Sequence, residues 1–152
     1  MGFLDWFERK ANARLRKSQI KMVYQNEAAV DHLISEFGNM QEAGMQPDPN
    51  IVETLNIFQA FTDDCIIRLT WNTCLPDPAS AQMLDVNNGL KNVYNGLLDG
   101  SRKFRSSMGL AAGDLVPFAS RFSPASGWER ISDNEWDPLV KKALSRLPKS
   151  DI

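Results

Sequence analysis

Apolar residues recur at steps of three and four from the start of the chain. Leu4, Phe7, Ala11, Leu15, Met22, Ala29, Leu33, Phe37 and Met40 fall on one line, with Ser18 and Asn26 as its polar members. This spacing predicts a single helix from Gly2 to Glu42, weakened at Gly38, and about 60 Å long at 1.5 Å per residue. The line repeats every eleven residues, a period that leaves a helix nearly straight. A core built from 152 residues spans only about 30 Å. The helix must therefore project or break near Lys17–Gln19, and the free part is its amino-terminal tip.

The next segments are marked by Asp-Pro pairs at Asp48–Pro49, Asp77–Pro78 and Asp137–Pro138. Asp accepts hydrogen bonds from first-turn amides, and Pro fits the first helical position, where an N–H has no partner. All three are read as helix starts. Gly44–Pro49 is a turn. The second helix is predicted from Pro49 to about Cys74; its apolar residues, including Leu55, Ile57, Phe58, Phe61, Cys65, Ile66, Leu69 and Trp71, cover most of its circumference and place it mid-bundle. The third is predicted from Pro78 to about Met108, with Met83, Leu84, Leu90, Tyr94, Leu97, Phe104 and Met108 inward. Gly89, Gly96 and Gly100 line one strip of it, which suggests close helix approach or a break near Gly100. Residues 109–127 are irregular, punctured by Gly109, Gly113, Pro117, Pro124 and Gly127; such a stretch is packed over the core or offered to a partner. A short helix from Pro138 to about Leu147 closes the chain. The expected fold is all-α: one domain over residues 1–152, an irregular three- to four-helix bundle with a projecting first helix and a loop-rich last third.

Charge changes this picture more than composition does. Apolar content of 43%, charged content of 24% and a net charge of −2 are ordinary for a globular chain. The charge is banded. Residues 1–25 hold Arg9, Lys10, Arg14, Arg16, Lys17 and Lys21 against Asp5 and Glu8, a net +4. From Asn26 to Asp64 there are eight acidic residues (Glu27, Asp31, Glu36, Glu42, Asp48, Glu53, Asp63 and Asp64) and no Lys or Arg. Residues 102–130 return to +3. Such bands fit self-complementation, within one molecule or between neighbouring copies.

Candidate chemistry is sparse. The only histidine, His32, reads as a helix-packing residue, and a lone histidine does not supply the His-rich zinc patterns. Asp63 and Asp64 point about 100° apart on a helix; Asp64 reaches Arg68 at i+4, an ordinary surface pair. Cys65 and Cys74 lie nine residues apart, about 13 Å along a helix, too far for a disulfide. They read as buried thiols, which suits a reducing compartment. The Asn88–Gly89 region lacks phosphate-loop order. No catalytic or metal-binding residues are assigned, no cofactor and no small-molecule substrate are expected, and the chain reads as a non-enzyme. No secretory signal or membrane-spanning run is visible.

The residues expected to carry function are those that meet a partner: Phe3, Leu4, Trp6 and Phe7 as anchors, Arg14 and Lys17 as charges beside them, and Phe118, Phe122 and Trp128 as a second contact. The leading expectation is an interaction protein, that is, an adaptor, chaperone-like or structural subunit of a bacterial or viral assembly. It would dock through its first helix onto a protein partner or a neighbouring copy. Its expected setting is the cytoplasm, the inner face of a membrane or a virion. One alternative is an anionic membrane surface, with the aromatic tip at the headgroup boundary. Over some twenty residues the opening resembles the lipid-touching first helix of phage-shock/thylakoid membrane-remodelling proteins, which share the eleven-residue drift. The Pro- and Gly-rich chain after Met108 departs from their long hairpin. A second alternative is nucleic acid, met by the tip together with Arg102, Lys103 and Arg105 around Phe104; the acidic middle opposes it.

Overall fold

The long first helix forms without a break. In the computed structural model, α1 runs Phe3–Glu42, so the conflict between its length and the size of the core is resolved by projection. The structure describes residues 2–71, 74–109, 116–128 and 131–147, and for Phe3 and Phe7 the backbone alone. Four further helices follow, α2 (Pro49–Thr70), α3 (Asp77–Ser107), α4 (Phe118–Arg121) and α5 (Asp133–Ser145). There is no strand among the described residues, and no described helix is long and apolar enough to cross a membrane.

Local signals explain most of the boundaries. Asp48 caps α2: its carboxylate accepts from the Asn50 N–H at 2.9 Å, with Pro49 at the first helical position. Gly44 and Gly109 take positive φ just past the ends of α1 and α3, a conformation that a Cβ would strain. The start of α3 is one residue earlier than expected, with Pro76 before it. The third Asp-Pro pair is a correction. α5 begins at Asp133 after Ser132, and Pro138 lies inside the helix. The Ser132 carbonyl accepts from the Glu135 and Trp136 N–H groups, while the Ser132 hydroxyl donates to the Glu135 carboxylate at 3.0 Å. Pro138 withholds one donor from the Asn134 carbonyl; Asn134 is exposed, so water can take its place.

α2 runs antiparallel to α1 and α3 parallel to it, as their polar ties show. Arg16 donates to the Leu69 carbonyl at 2.6 Å, and Gln59 donates to Asp31 at 3.0 Å. Gln19 makes a two-point clamp on Leu75, donating to its carbonyl at 3.1 Å and accepting from its N–H at 2.8 Å. Further along, Asn26 donates to the Met83 carbonyl at 3.1 Å and accepts from Asn87 at 2.7 Å. Around these ties sit two apolar clusters. One joins Ala29, Val30, Leu33 and Phe37 of α1 to Leu55, Val86, Leu90 and Tyr94. The other joins Val23 to Cys65, Ile66, Leu69, Leu75, Met83 and Ala143. α2 is the central element, touching α1, α3 and α5, although Ile57 and Trp71 are exposed. Leu84, Phe104 and Met108, expected inward on α3, are exposed as well. The glycine strip on α3 is not broken at Gly100. Only Gly89 is a close approach, where a Cβ would meet the Phe58 ring at 2.8 Å; around Gly96 and Gly100 there is open space.

Candidate functional site

Every described side chain from Leu4 to Leu15 is exposed, and burial begins at Arg16. Leu4 is 80% exposed and Trp6 46%. The Lys10 ammonium lies 4.2 Å from the centre of the Trp6 ring, a cation–π contact one helical turn away. On the helix surface Lys10, Arg14, Lys17 and Lys21 follow one another at steps of four, three and four, which puts four cations in one row. The Leu4–Ala11–Leu15 line runs beside that row. The tip thus offers an apolar strip and a cationic strip side by side; Lys10 and Arg14 lie past the level of Arg16, where α2 ends its support, while Lys17 and Lys21 border the bundle. Of the four expected anchors, Leu4 and Trp6 are on this projecting end; the side chains of Phe3 and Phe7 lie outside the described residues.

The expected second contact is corrected. Phe118 and Phe122 are 6% and 5% exposed and belong to the core of their own chain. They form an edge-to-face trio with Tyr94, at ring-centre distances of 5.7, 5.4 and 5.1 Å. The Tyr94 hydroxyl donates to the Val116 carbonyl at 2.6 Å, which pins the segment. Two large rings one helical turn apart bury more favourably over an open core end than in solvent. Trp128 is half-buried, edge-on to Tyr24 of α1 at 6.2 Å, and it borders a shallow groove with Ile20 and Lys21. These residues are scaffold first. His32 likewise packs on Phe122 at 5.6 Å, and burial followed by the nearby Arg121 charge lowers its pKa.

The acidic band holds a feature that the sequence reading missed. Arg146, just past α5, reaches three carboxylates at once: Glu27 at 2.8 Å, Asp31 at 3.0 Å and Asp63 at 3.1 Å. Lys142 adds a second contact to Asp31 at 3.2 Å. Glu27 is fully buried, and its Oε2 has no hydrogen-bonding partner as an acceptor. Burial, then repulsion from Asp31 and Asp63, pushes its pKa up to about 8. The carboxyl is therefore protonated at neutral pH, and the orphan oxygen becomes a hydroxyl donor. Asp63, raised chiefly by burial, is held back first by the Arg146 charge. With Glu27 neutral, two carboxylates face two cations, and the cluster balances. Glu27 itself has no exposed surface, so within the cluster it acts on its neighbours alone. Asp64 and Arg68 form the expected exposed pair at 3.1 Å. Cys65 is buried with its thiol pushed up to about 12 by burial and then Asp64. Cys74 lies beyond the end of α2 and donates to the Asn12 carbonyl at 3.4 Å.

The band pattern is thus half resolved within the molecule. α5 neutralises part of the acidic middle, and the cationic tip faces away from it. The two basic groups once joined as a nucleic-acid face are separated. Because α3 runs parallel to α1, Arg102, Lys103 and Arg105 lie at the end of the bundle opposite the tip. No protein-family model, no curated protein and no solved structure matches this chain.

Proposed function

We propose that the chain is a non-enzymatic docking protein whose free α1 end, Phe3 to Leu15, attaches it to a protein partner in a larger assembly. The observation that supports this is the contrast along a single helix: Leu4 is 80% exposed and Trp6 46%, whereas Leu33 on the same helix has no exposed surface. Aromatic and leucine side chains on a rigid helix end are effective anchors, since burying each contributes roughly 1.5–3 kcal/mol and little order is left to impose. The cations beside them favour an acidic partner and speed its encounter. A cytoplasmic setting goes with this reading, because both cysteines are free thiols. The test is deletion of residues 1–11, a cut placed before Asn12 and Arg16, which touch the bundle. Affinity capture from the native host should lose its partner while the thermal melt stays within a few degrees. A melt that collapses would show the tip to be core and end the docking idea.

A peripheral membrane reading has one specific support, the stacking of Lys10 on Trp6, since an indole with an ammonium beside it suits the headgroup boundary. Flotation with anionic vesicles separates the two readings.

A further inference from the structure

α1 ends in two unlike surfaces about 60 Å apart. One is the basic tip. At the other, the last residues of α1, the following turn and the first turns of α2 enclose an open groove of about 650 Å³. Its walls include Met45, Pro47, Pro49 and Val52, with Glu53 among them. Met45 is 56% exposed. Glu53 lines it, Glu42 and Asp48 are exposed and adjoin its lining residues Gln41, Pro47 and Pro49 in sequence, and α1 has no basic residue in its last turn to offset the negative end of the helix dipole. Arg102, Lys103 and Arg105 of α3 lie at this end of the bundle, but none of them lines the groove.

We infer that the groove at the α1–α2 turn receives the α1 tip of a second copy of this chain, so that the protein assembles head to tail. This rests on the docking reading above and names the partner. Charge selects this occupant over a tip-to-tip pair. Two tips would bring like rows of cations together, whereas tip and groove bring Lys10 and Arg14 against Glu53 in the groove wall, with Glu42 and Asp48 next to its lining residues in sequence. Apolar surface matches as well, with Leu4 and Trp6 meeting Met45, Pro47, Pro49 and Val52. A contact between two different patches does not close on two copies; it repeats into a ring or a filament. One helix end covers less than the roughly 1,200–2,000 Å² of a stable interface. Each link is therefore weak, and growth depends on concentration.

Sedimentation velocity of the full chain, from low to high micromolar concentration in low salt, tests this. The expected result is a sedimentation coefficient that climbs with concentration and returns to that of the monomer in 0.5 M salt. Trp6→Ala in the tip, and either Glu53→Lys or Met45→Arg in the groove, should each leave a monomer with an unchanged circular-dichroism melt, since all three positions are exposed. Mixing a tip variant with a groove variant restores one sound tip and one sound groove. The mixture should form a one-to-one pair that grows no further. A monomer at every concentration overturns the inference, as does assembly indifferent to these variants or a mixture that stays monomeric while the unaltered chain assembles. If the chain stays monomeric but capture of another protein, or flotation with anionic vesicles, requires residues 1–11, self-docking is overturned and the tip remains the docking element.

Discussion

The two halves of α1 obey the same helical period and meet opposite fates. From Gln19 onward the helix is walled in by α2, α3 and α5, and Val23, Val30 and Leu33 have no exposed surface. Toward the amino end the apolar line continues at the same spacing, but Leu4, Ala11 and Leu15 on it are exposed. Periodicity therefore identifies a helix and its apolar face without saying what covers that face. Cover is decided by length: α3 begins level with residue 19 of α1, where Gln19 clamps Leu75, and α2 reaches only to the level of Arg16, which donates to the Leu69 carbonyl near the end of α2. The inner half is also more polar than a simple stripe suggests, since Gln19, Asn26 and Glu27 are buried with it. Each buried amide is paired, as burial in a low dielectric demands.

Paired leucines on one helix make the sharpest test of that contrast. Leu33→Ala should lower the unfolding free energy by about 3 kcal/mol, within the usual range for a fully buried leucine. Leu4→Ala should change it by less than about 0.5 kcal/mol. Urea titration measures both, and comparable losses would mean that the tip is covered. A smaller loss, about 2 kcal/mol, is expected from Arg146→Met, because removing one partner strands buried carboxylates, while partial exposure of the guanidinium softens the penalty. Amide exchange should then quicken in α5 before it does in α1.

The inner half should also be sensitive to pH in a way the outer half is not. Glu27 is raised in the folded state to about 8 from an ordinary value of 4.5, so the native protein holds a proton that the unfolded chain releases. Its stabilising contribution is complete below about 4.5, declines as pH rises, and is lost above about 8. Urea midpoints taken from pH 5 to pH 9 should fall across that window. Glu27→Gln, which keeps a buried donor without a charge, should flatten the decline. A midpoint that rises with pH would contradict a protonated Glu27. The smallest effect belongs to the glycines of α3. Gly96→Ala should add about 0.5–1 kcal/mol from helix propensity, with nothing within 4 Å to oppose it. Gly89→Ala should gain less, because the Phe58 ring must move first.

Much of the architecture was legible in local chemistry. The period fixed α1, and Asp48–Pro49 marked the start of α2 because capping is a matter of neighbouring residues. Asp137–Pro138 misled for the complementary reason: a proline is tolerated inside α5 when the carbonyl it abandons reaches water, a fact about exposure that a dipeptide does not carry. Phe118 and Phe122 were misassigned because aromatic residues among Gly and Pro look alike whether they cover a core or await a partner. The Arg146 hub brings together residues 83 to 119 positions apart, beyond any local rule. One signal was nevertheless present. Glu27 and Asp31 sit on one helical face, and no cation occurs between Lys21 and Arg68, so a distant counter-charge was required.

The amide ties at Gln19 and Asn26 have a mechanical consequence. Sliding α3 by one turn along α1 would strand the Gln19, Asn26 and Asn87 side chains and the Leu75 backbone groups without partners, so neighbouring registers are strongly disfavoured. α1 is in effect a lever keyed into its bearing. A pull or twist applied at Trp6 is delivered to the far turn at Gly44 instead of being lost as slippage between helices.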